Sequence, residues 1–292
     1  MPTTDGSSPA AASVLAVLGV GVVAADSPVL RADDAAATRG DGCFEGCRLR
    51  RGPDGANAVD KLDAHLARMT RSADALAIPF DERAWRRLIA EAAAAWNSPD
   101  EAAVKLLLSR GTPTSGPTGF VLITPLSAES RRLRATGLKV ITLARGLESG
   151  AFADAPWLLG GVKTLSYAVN MAAFREAERR GADDVVFLSS DGLVLEAPTA
   201  SVVWSVGRTL FTTPTGATGI LGGTTQQLLF ERAATAGWTT AERLVTLDEL
   251  QAADVIWLVS SVRGPVDVVE LDGKPRTRHP DLDSEIRRLC GF

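Results

Sequence analysis

Apolar positions in this chain come in short blocks, and the spacing inside each block separates strand from helix. Ser13–Leu18 and Val20–Ala25 are continuous apolar runs around a glycine, which predicts two buried strands joined by a turn. In Asp60–Ile78, Leu62, Leu66, Met69 and Leu76 recur at helical spacing, and Pro79 follows as a stop. Glu82–Ala95 repeats the amphipathic pattern as a second helix. Val104–Ser109 and Phe120–Ile123 read as strands, with a Gly/Pro/Thr loop at 111–118 between them.

An arginine-rich stretch, 127–137, then interrupts the pattern. It predicts a linker between a smaller N-terminal domain, residues 1–126, and a larger C-terminal domain, residues 138–292. Beyond it come a strand at Leu138–Leu143, a glycine turn at Gly160–Lys163 and a helix at Thr164–Arg180. Leu165, Ala168, Val169, Ala172 and Ala177 share one face of that helix. Strands follow at Asp184–Leu188, Leu193–Glu196, Ser201–Val206 and Thr209–Thr213. A Gly-rich turn at Gly219–Gly223 opens a helix over Thr224–Gly237. Strands at Val255–Val259 and Val266–Leu271 and a short final helix complete the pattern. Isolated helices among runs of strands predict two α+β halves. Residues 1–9, small and mostly polar, are expected to fray.

Composition narrows the function classes. A chain of 292 residues has room for one large or two medium cores. Its net charge of −4 argues against a sequence-independent nucleic-acid binder, which needs a basic surface to displace counterions. A local basic pocket for a small anion stays open. The three cysteines, Cys43, Cys47 and Cys290, form no CxxC pair, which fits a reduced, cytoplasmic protein. With two histidines, His65 and His279, no zinc or other metal site is expected, because zinc needs four clustered donors. The apolar run Ala10–Ala25 has no basic residue before Arg31 and is broken by Gly19 and Gly21. It therefore predicts neither a signal peptide nor a membrane span.

Gly19-Val-Gly21-Val-Val-Ala24 matches a dinucleotide fingerprint as a string, but Asp26-Ser27-Pro28 arrives too soon for the helix that fingerprint requires. A hairpin turn is the simpler reading. Gly219-Ile-Leu-Gly222-Gly223-Thr224-Thr225 is a better anion site. Its glycines permit close backbone approach, and the first N–H groups of the following helix point outward. The only lysines are Lys61, Lys105, Lys139, Lys163 and Lys274. Lys163 alone sits between a glycine pair and an apolar helix pattern, surroundings that favour the neutral, nucleophilic amine. Glu196 ends an apolar strand, either as a solvated end or as a buried partner for a cation.

Taken in order, these landmarks resemble the class-IV (fold type IV) pyridoxal-phosphate enzymes. They are Arg39-Gly-Asp-Gly-Cys-Phe44-Glu45, His65-Leu-Ala-Arg68, Lys163-Thr-Leu-Ser-Tyr167, Asp191-Gly-Leu-Val-Leu-Glu196, Thr213-Pro214 and Leu221-Gly-Gly223-Thr224-Thr225. The resemblance spans about residues 33 to 272. It implies a two-domain α+β fold, a homodimer and pyridoxal 5′-phosphate as cofactor. By the same resemblance Lys163 carries the cofactor and shuttles protons, and Glu196 bonds the pyridine nitrogen. Arg68, Gly223, Thr224 and Thr225 hold the phosphate. Tyr167 contacts the ring's phenolic oxygen, and Ser260 and Ser261 line the phosphate and substrate pocket.

Three activities share that chemistry. The D-amino-acid aminotransferases carry an Arg-x-His trap in the loop that here reads Pro113-Thr-Ser-Gly-Pro117, which weakens the strict D-amino-acid reading; Arg110 and Arg263 are the candidates to substitute for it. Phe44-Glu-Gly-Cys-Arg48 is similar to a run in the branched-chain enzymes. The short Ser260-Ser-Val-Arg-Gly264 loop and Gly40-Asp-Gly-Cys-Phe44 are closer to the aminodeoxychorismate lyases, while Gln226 stands where many relatives have arginine. The leading expectation is therefore an aminodeoxychorismate lyase that releases pyruvate and the folate precursor 4-aminobenzoate. The alternative is a D-amino-acid or branched-chain aminotransferase. Phe44, Arg110 and Arg263 are the candidate substrate-binding residues. Neither nucleic acid nor membrane is an expected partner.

Overall fold

The computed structural model describes residues 13–292; residues 1–9, expected to fray, lie outside them. The chain divides into two compact units, Met1–Ser127 and Ala128–Phe292.

In the first unit, β1 (Val14–Val17) and β2 (Gly21–Val23) form the expected hairpin, antiparallel with Val17 opposite Gly21. Next come α1 (Ala35–Arg39), β3 (Gly42–Arg51) and β4 (Asn57–Val59). Then follow α2 (Leu62–Ala75), α3 (Glu82–Ala95), β5 (Ala102–Thr112) and β6 (Gly116–Pro125). The strands make one antiparallel sheet in the order β2-β1-β6-β5-β3-β4. The apolar stripes of α2 and α3 bury Leu66, Met69, Trp85 and Ile89 in the same core as Leu106, Leu108, Val121 and Ile123 of the sheet. Each such side chain contributes about 1.5–3 kcal/mol when taken fully from water.

Two features depart from the pattern read in the sequence. β3 was not visible as a strand because its inward positions include the charged residues Glu45 and Arg48, both buried. The segment expected as a loop, 111–118, is instead the end of a long β5–β6 hairpin with a bulge at Gly111. Gly111 has φ +78°, and a Cβ there would lie 1.6 Å from the Gly116 carbonyl oxygen. Only glycine fits that approach.

The second unit opens with α4 (Ala128–Thr136), where a linker was expected at 127–137. The arginines hid the helix: Leu133 is its one buried apolar anchor, so no period shows in the sequence. β7 (Leu138–Ala144), α5 (Ala168–Arg179), β8 (Asp184–Leu188), β9 (Ser201–Val206) and β10 (Thr209–Thr212) follow. After them come α6 (Thr224–Thr235), β11 (Thr239–Glu242) and α7 (Leu247–Gln251). The chain continues through β12 (Val255–Ser260), β13 (Gly264–Leu271), β14 (Lys274–Pro275) and α8 (Pro280–Cys290). The sheet runs β11-β10-β9-β12-β13-β7-β8, with β14 paired to β13. It is mixed, because β7 runs parallel to both β8 and β13.

The helix expected from Thr164 starts four residues later, with Tyr167 at its N-cap. Its buried residues are Ala173 and Ala177, whereas Val169 is exposed. The strand expected at Leu193–Glu196 makes only isolated bridges, Leu188 to Val194 and Leu193 to Thr246. Among the described residues, no helix is long and apolar enough to cross a membrane.

Candidate active site

Lys163 lies on the irregular segment that links a glycine turn to α5, and it is half-buried. Its Nζ donates to the Tyr167 hydroxyl at 3.2 Å and sits 5.4 Å from the centroid of that ring. The turn before it is packed against a second glycine turn. Gly161 N–H donates to the Gly219 carbonyl at 2.9 Å, and a Cβ on Gly160 would come within 3.0 Å of Gly219 Cα. A side chain at Gly160 would separate the two segments.

That second turn leads to Leu221, whose N–H donates to Glu196 Oε2 at 3.1 Å. The Glu196 carbonyl accepts from Phe187 of β8, and Asn170 of α5 donates to the carbonyl of Pro198 two residues further on. Lys163 and Glu196 are thus carried by segments bonded to common neighbours. Glu196 also lines a solvent-open cleft with Arg145, Phe152, Phe187 and Ile220.

Thr224 and Thr225 open α6 after Gly223, which has no side chain to cap the first-turn N–H groups. Such N–H groups, with the positive end of the helix dipole, attract an anion. The hydroxyls of both threonines lie 2.9 Å from Ser261 Oγ, so three hydroxyls meet at the helix start. A Cβ on Gly223 would come within 2.3 Å of Ser201 Oγ, so a larger residue there would force that hydroxyl to turn away. Ser260, half-buried, ends β12 beside this cup. The group of donors suits a phosphate, the carboxylate of Glu196 suits a protonated ring nitrogen, and the Lys163 amine suits an aldehyde. The residues present fit pyridoxal phosphate.

Arg68, Phe44 and Arg110 belong to the first unit. Arg68 is buried on α2 and forks onto Glu45, Nε to Oε1 and Nη2 to Oε2, both at 2.7 Å. His65 Nδ1 lies 2.7 Å from Glu45 Oε2. Burial works to raise the Glu45 pKa, but the bonds from Arg68 and His65 override it and hold it at about 2. Burial pushes the His65 pKa down against the pull of Glu45, so the imidazole is neutral and donates through Nδ1. Burial, then the Glu45 charge, lifts the Cys43 thiol to about 12, which leaves it inert. Glu45, Cys47 and His65 do bring possible metal-ligating atoms within 4.8 Å of one another. Both Glu45 oxygens are already engaged by Arg68, a cation with which a metal ion would have to compete. Phe44 is half-buried on β3, opposite Leu107.

The two arginines considered for a substrate carboxylate are both held as struts. Arg110 pairs with Asp41 at 2.5 Å and donates to the Leu76 carbonyl at 2.6 Å. Arg263 pairs at 2.6 Å with Asp184, which is fully buried. Sequence reasoning missed Glu45 as the partner of Arg68. The signal was an acid inside an apolar strand, which must find a cation. It also missed Arg145, which carried no signal: its guanidinium lies 5.0 Å over the Phe187 ring only in the fold.

The family profile described as amino-transferase class IV matches residues 42–271, and the chain belongs to that family. It is a pyridoxal-phosphate-dependent enzyme of fold type IV. Over 271 residues it is 41% identical to a Mycobacterium tuberculosis protein named bifunctional aminodeoxychorismate lyase / D-amino acid transaminase. That match covers 89% of this chain and 92% of the relative. A hypothetical aminotransferase from Mycobacterium tuberculosis in its PLP-bound form superposes with a TM-score of 0.90 at 39% identity, covering 96% of this chain and 98% of that one. A fold IV-transaminase from Curtobacterium pusillum gives 0.87 at 34% identity, covering 96% and 97%.

Proposed function

We propose that this enzyme is an aminodeoxychorismate lyase, releasing pyruvate and leaving 4-aminobenzoate, a folate precursor. The observation that carries the reading is the engagement of Arg110 by Asp41 and of Arg263 by Asp184. With no Arg-x-His pair in 113–117, neither arginine stands in for the carboxylate trap of a strict D-amino-acid aminotransferase. A second reading, D-amino-acid transamination by the same site, is favoured by the bifunctional name of the 41%-identical relative.

In this reading Thr224, Thr225, Ser260, Ser261 and Gly223 hold the cofactor phosphate; in the first unit Arg68, its plane set by Glu45, is the phosphate ligand that the family resemblance implies. Glu196 holds a proton at the pyridine nitrogen, with Leu221 N–H fixing one of its oxygens. When bound, pyridoxal phosphate supplies an electron-poor ring that accepts the electrons released at the substrate α-carbon. Lys163 Nζ would anchor the aldehyde carbon of the cofactor and, as a neutral amine, would take the substrate α-proton. Tyr167 accepts a hydrogen bond from the Lys163 amine and would contact the ring's phenolic oxygen. Phe44 contributes to the substrate side. Residues 138–292 form the cofactor-binding domain. The assembly is a homodimer, and the enzyme acts in the cytoplasm, consistent with three cysteines outside any disulfide.

The test is paired. Pyruvate release from aminodeoxychorismate without any keto-acid acceptor is the expected result. Amino transfer that requires an acceptor, with no such release, overturns the lyase reading in favour of the aminotransferase.

A further inference from the structure

The three-residue turn between β12 and β13 carries Ser261 toward the α6 N-terminus, and its other side is gripped by the helix that the sequence presented as a linker. Arg134 of α4 donates through Nε to the Arg263 carbonyl and through Nη2 to the Val262 carbonyl, both at 2.6 Å. A guanidinium fork is planar and rigid, so two such bonds fix the orientation of both peptides. Beneath it lies Phe292, whose ring centroid is 5.1 Å from Arg134 Cζ. The same ring packs on Gly264, where φ is +81° and a Cβ would come within 2.7 Å of it. Asp184 anchors the Arg263 side chain at 2.6 Å. The turn is thus held by carbonyl, side chain and glycine while its one inward hydroxyl meets Thr224 and Thr225.

We infer that Arg134 and Phe292 are positioning residues for phosphate recognition: they clamp the 261–263 turn so that Ser261 completes the hydroxyl cup. The inference rests on the cofactor reading above. Neither residue contacts the cofactor in this scheme; each acts through the turn. Loosening the turn removes a preorganised donor from the phosphate and leaves the aldehyde and ring contacts untouched. The signature is therefore selective: affinity for the phosphorylated aldehyde falls while affinity for the unphosphorylated one does not.

The experiment titrates cofactor-stripped full-length protein with pyridoxal 5′-phosphate and, separately, with pyridoxal, following the near-visible band. In the native sequence the phosphorylated form binds more tightly. Arg134→Met is expected to weaken it about tenfold, the scale of a lost charge-assisted bond. Phe292→Ala is expected to weaken it about threefold, and pyridoxal binding stays within about twofold in both. Arg134→Lys, which can reach one carbonyl at a time, falls between. If Arg134→Met does not fold, Arg134→Lys and Phe292→Leu are read by the same ratio. Equal weakening of both aldehydes, or an unchanged ratio in every folded variant, overturns the clamp and leaves the cofactor reading standing. A native protein that develops no band with either aldehyde overturns the cofactor reading and the clamp with it.

Discussion

In the first unit Glu45 holds His65 and Arg68 at 2.7 Å, an ionised acid satisfied by a cation and an imidazole in the core. In the second, the Ser261 hydroxyl lies 2.9 Å from those of both Thr224 and Thr225 at the start of a helix. The first cluster is self-neutralising: removing a partner strands a charge in a region of low dielectric. The second is adaptable. Hydroxyl protons rotate, so donors that satisfy one another can turn toward an incoming anion at little cost. The contrast separates a cation whose plane is fixed by a buried acid from hydroxyls that can turn toward a ligand.

The sharpest way to break that contrast is at Lys163. Lys163→Ala is expected to lower turnover roughly 10²–10⁴-fold through the lost proton shuttle alone. The near-visible band that borohydride reduces should vanish, with the melting temperature nearly unchanged. A band that survives, or full turnover, would falsify the assignment of Lys163.

Glu45→Ala should do the opposite, damaging the fold first. An arginine left buried without its anion costs about 3–5 kcal/mol. Thermal or urea unfolding should register the loss; a variant as stable as the native protein would mean that Arg68 finds another anion. Glu196→Gln keeps the hydrogen bond to Leu221 but withdraws the charge that holds the ring proton. It should retain bound cofactor and slow α-proton abstraction on the order of 10²-fold. Near-normal exchange of the substrate α-proton with deuterated solvent would contradict that role.

The smallest effect is on pH. His65 is depressed below its ordinary 6.5, so the unfolded chain binds the extra proton first and stability begins to fall as pH drops below 6.5. Glu45, depressed from 4.5 to about 2, contributes stability that is whole above 4.5 and drains away as pH falls toward 2. Melting temperature followed from pH 7 downward should decline in two stages. Glu45→Gln should flatten the second, and an unaltered lower stage would remove Glu45 as its source.

Much of the scaffold was legible in the sequence. Glu82–Ala95 was bounded as found, and β8 and β9 were read to the residue, because their faces are uniformly apolar or regularly amphipathic. β3 escaped because buried Glu45 and Arg48 break its pattern, and α4 because one leucine among arginines has no period. In the site, Lys163 stood out through its glycines and the Thr224–Thr225 pair through the turn before it. Arg134 did not stand out at all.

What the chain's residues determined unaided was local: where periodicity allows helix or strand, which glycines free the backbone, and which amine and carboxylate occur in the right order. Tertiary structure alone decided which charges meet. Arg68 found Glu45 from 23 residues away and Arg134 found the 262–263 carbonyls from nearly 130, while Arg110 and Arg263 paired with acids beside them in space. A charged side chain carries no sequence signal for its partner, because its energy depends on distance and dielectric, and both exist only once the chain has folded.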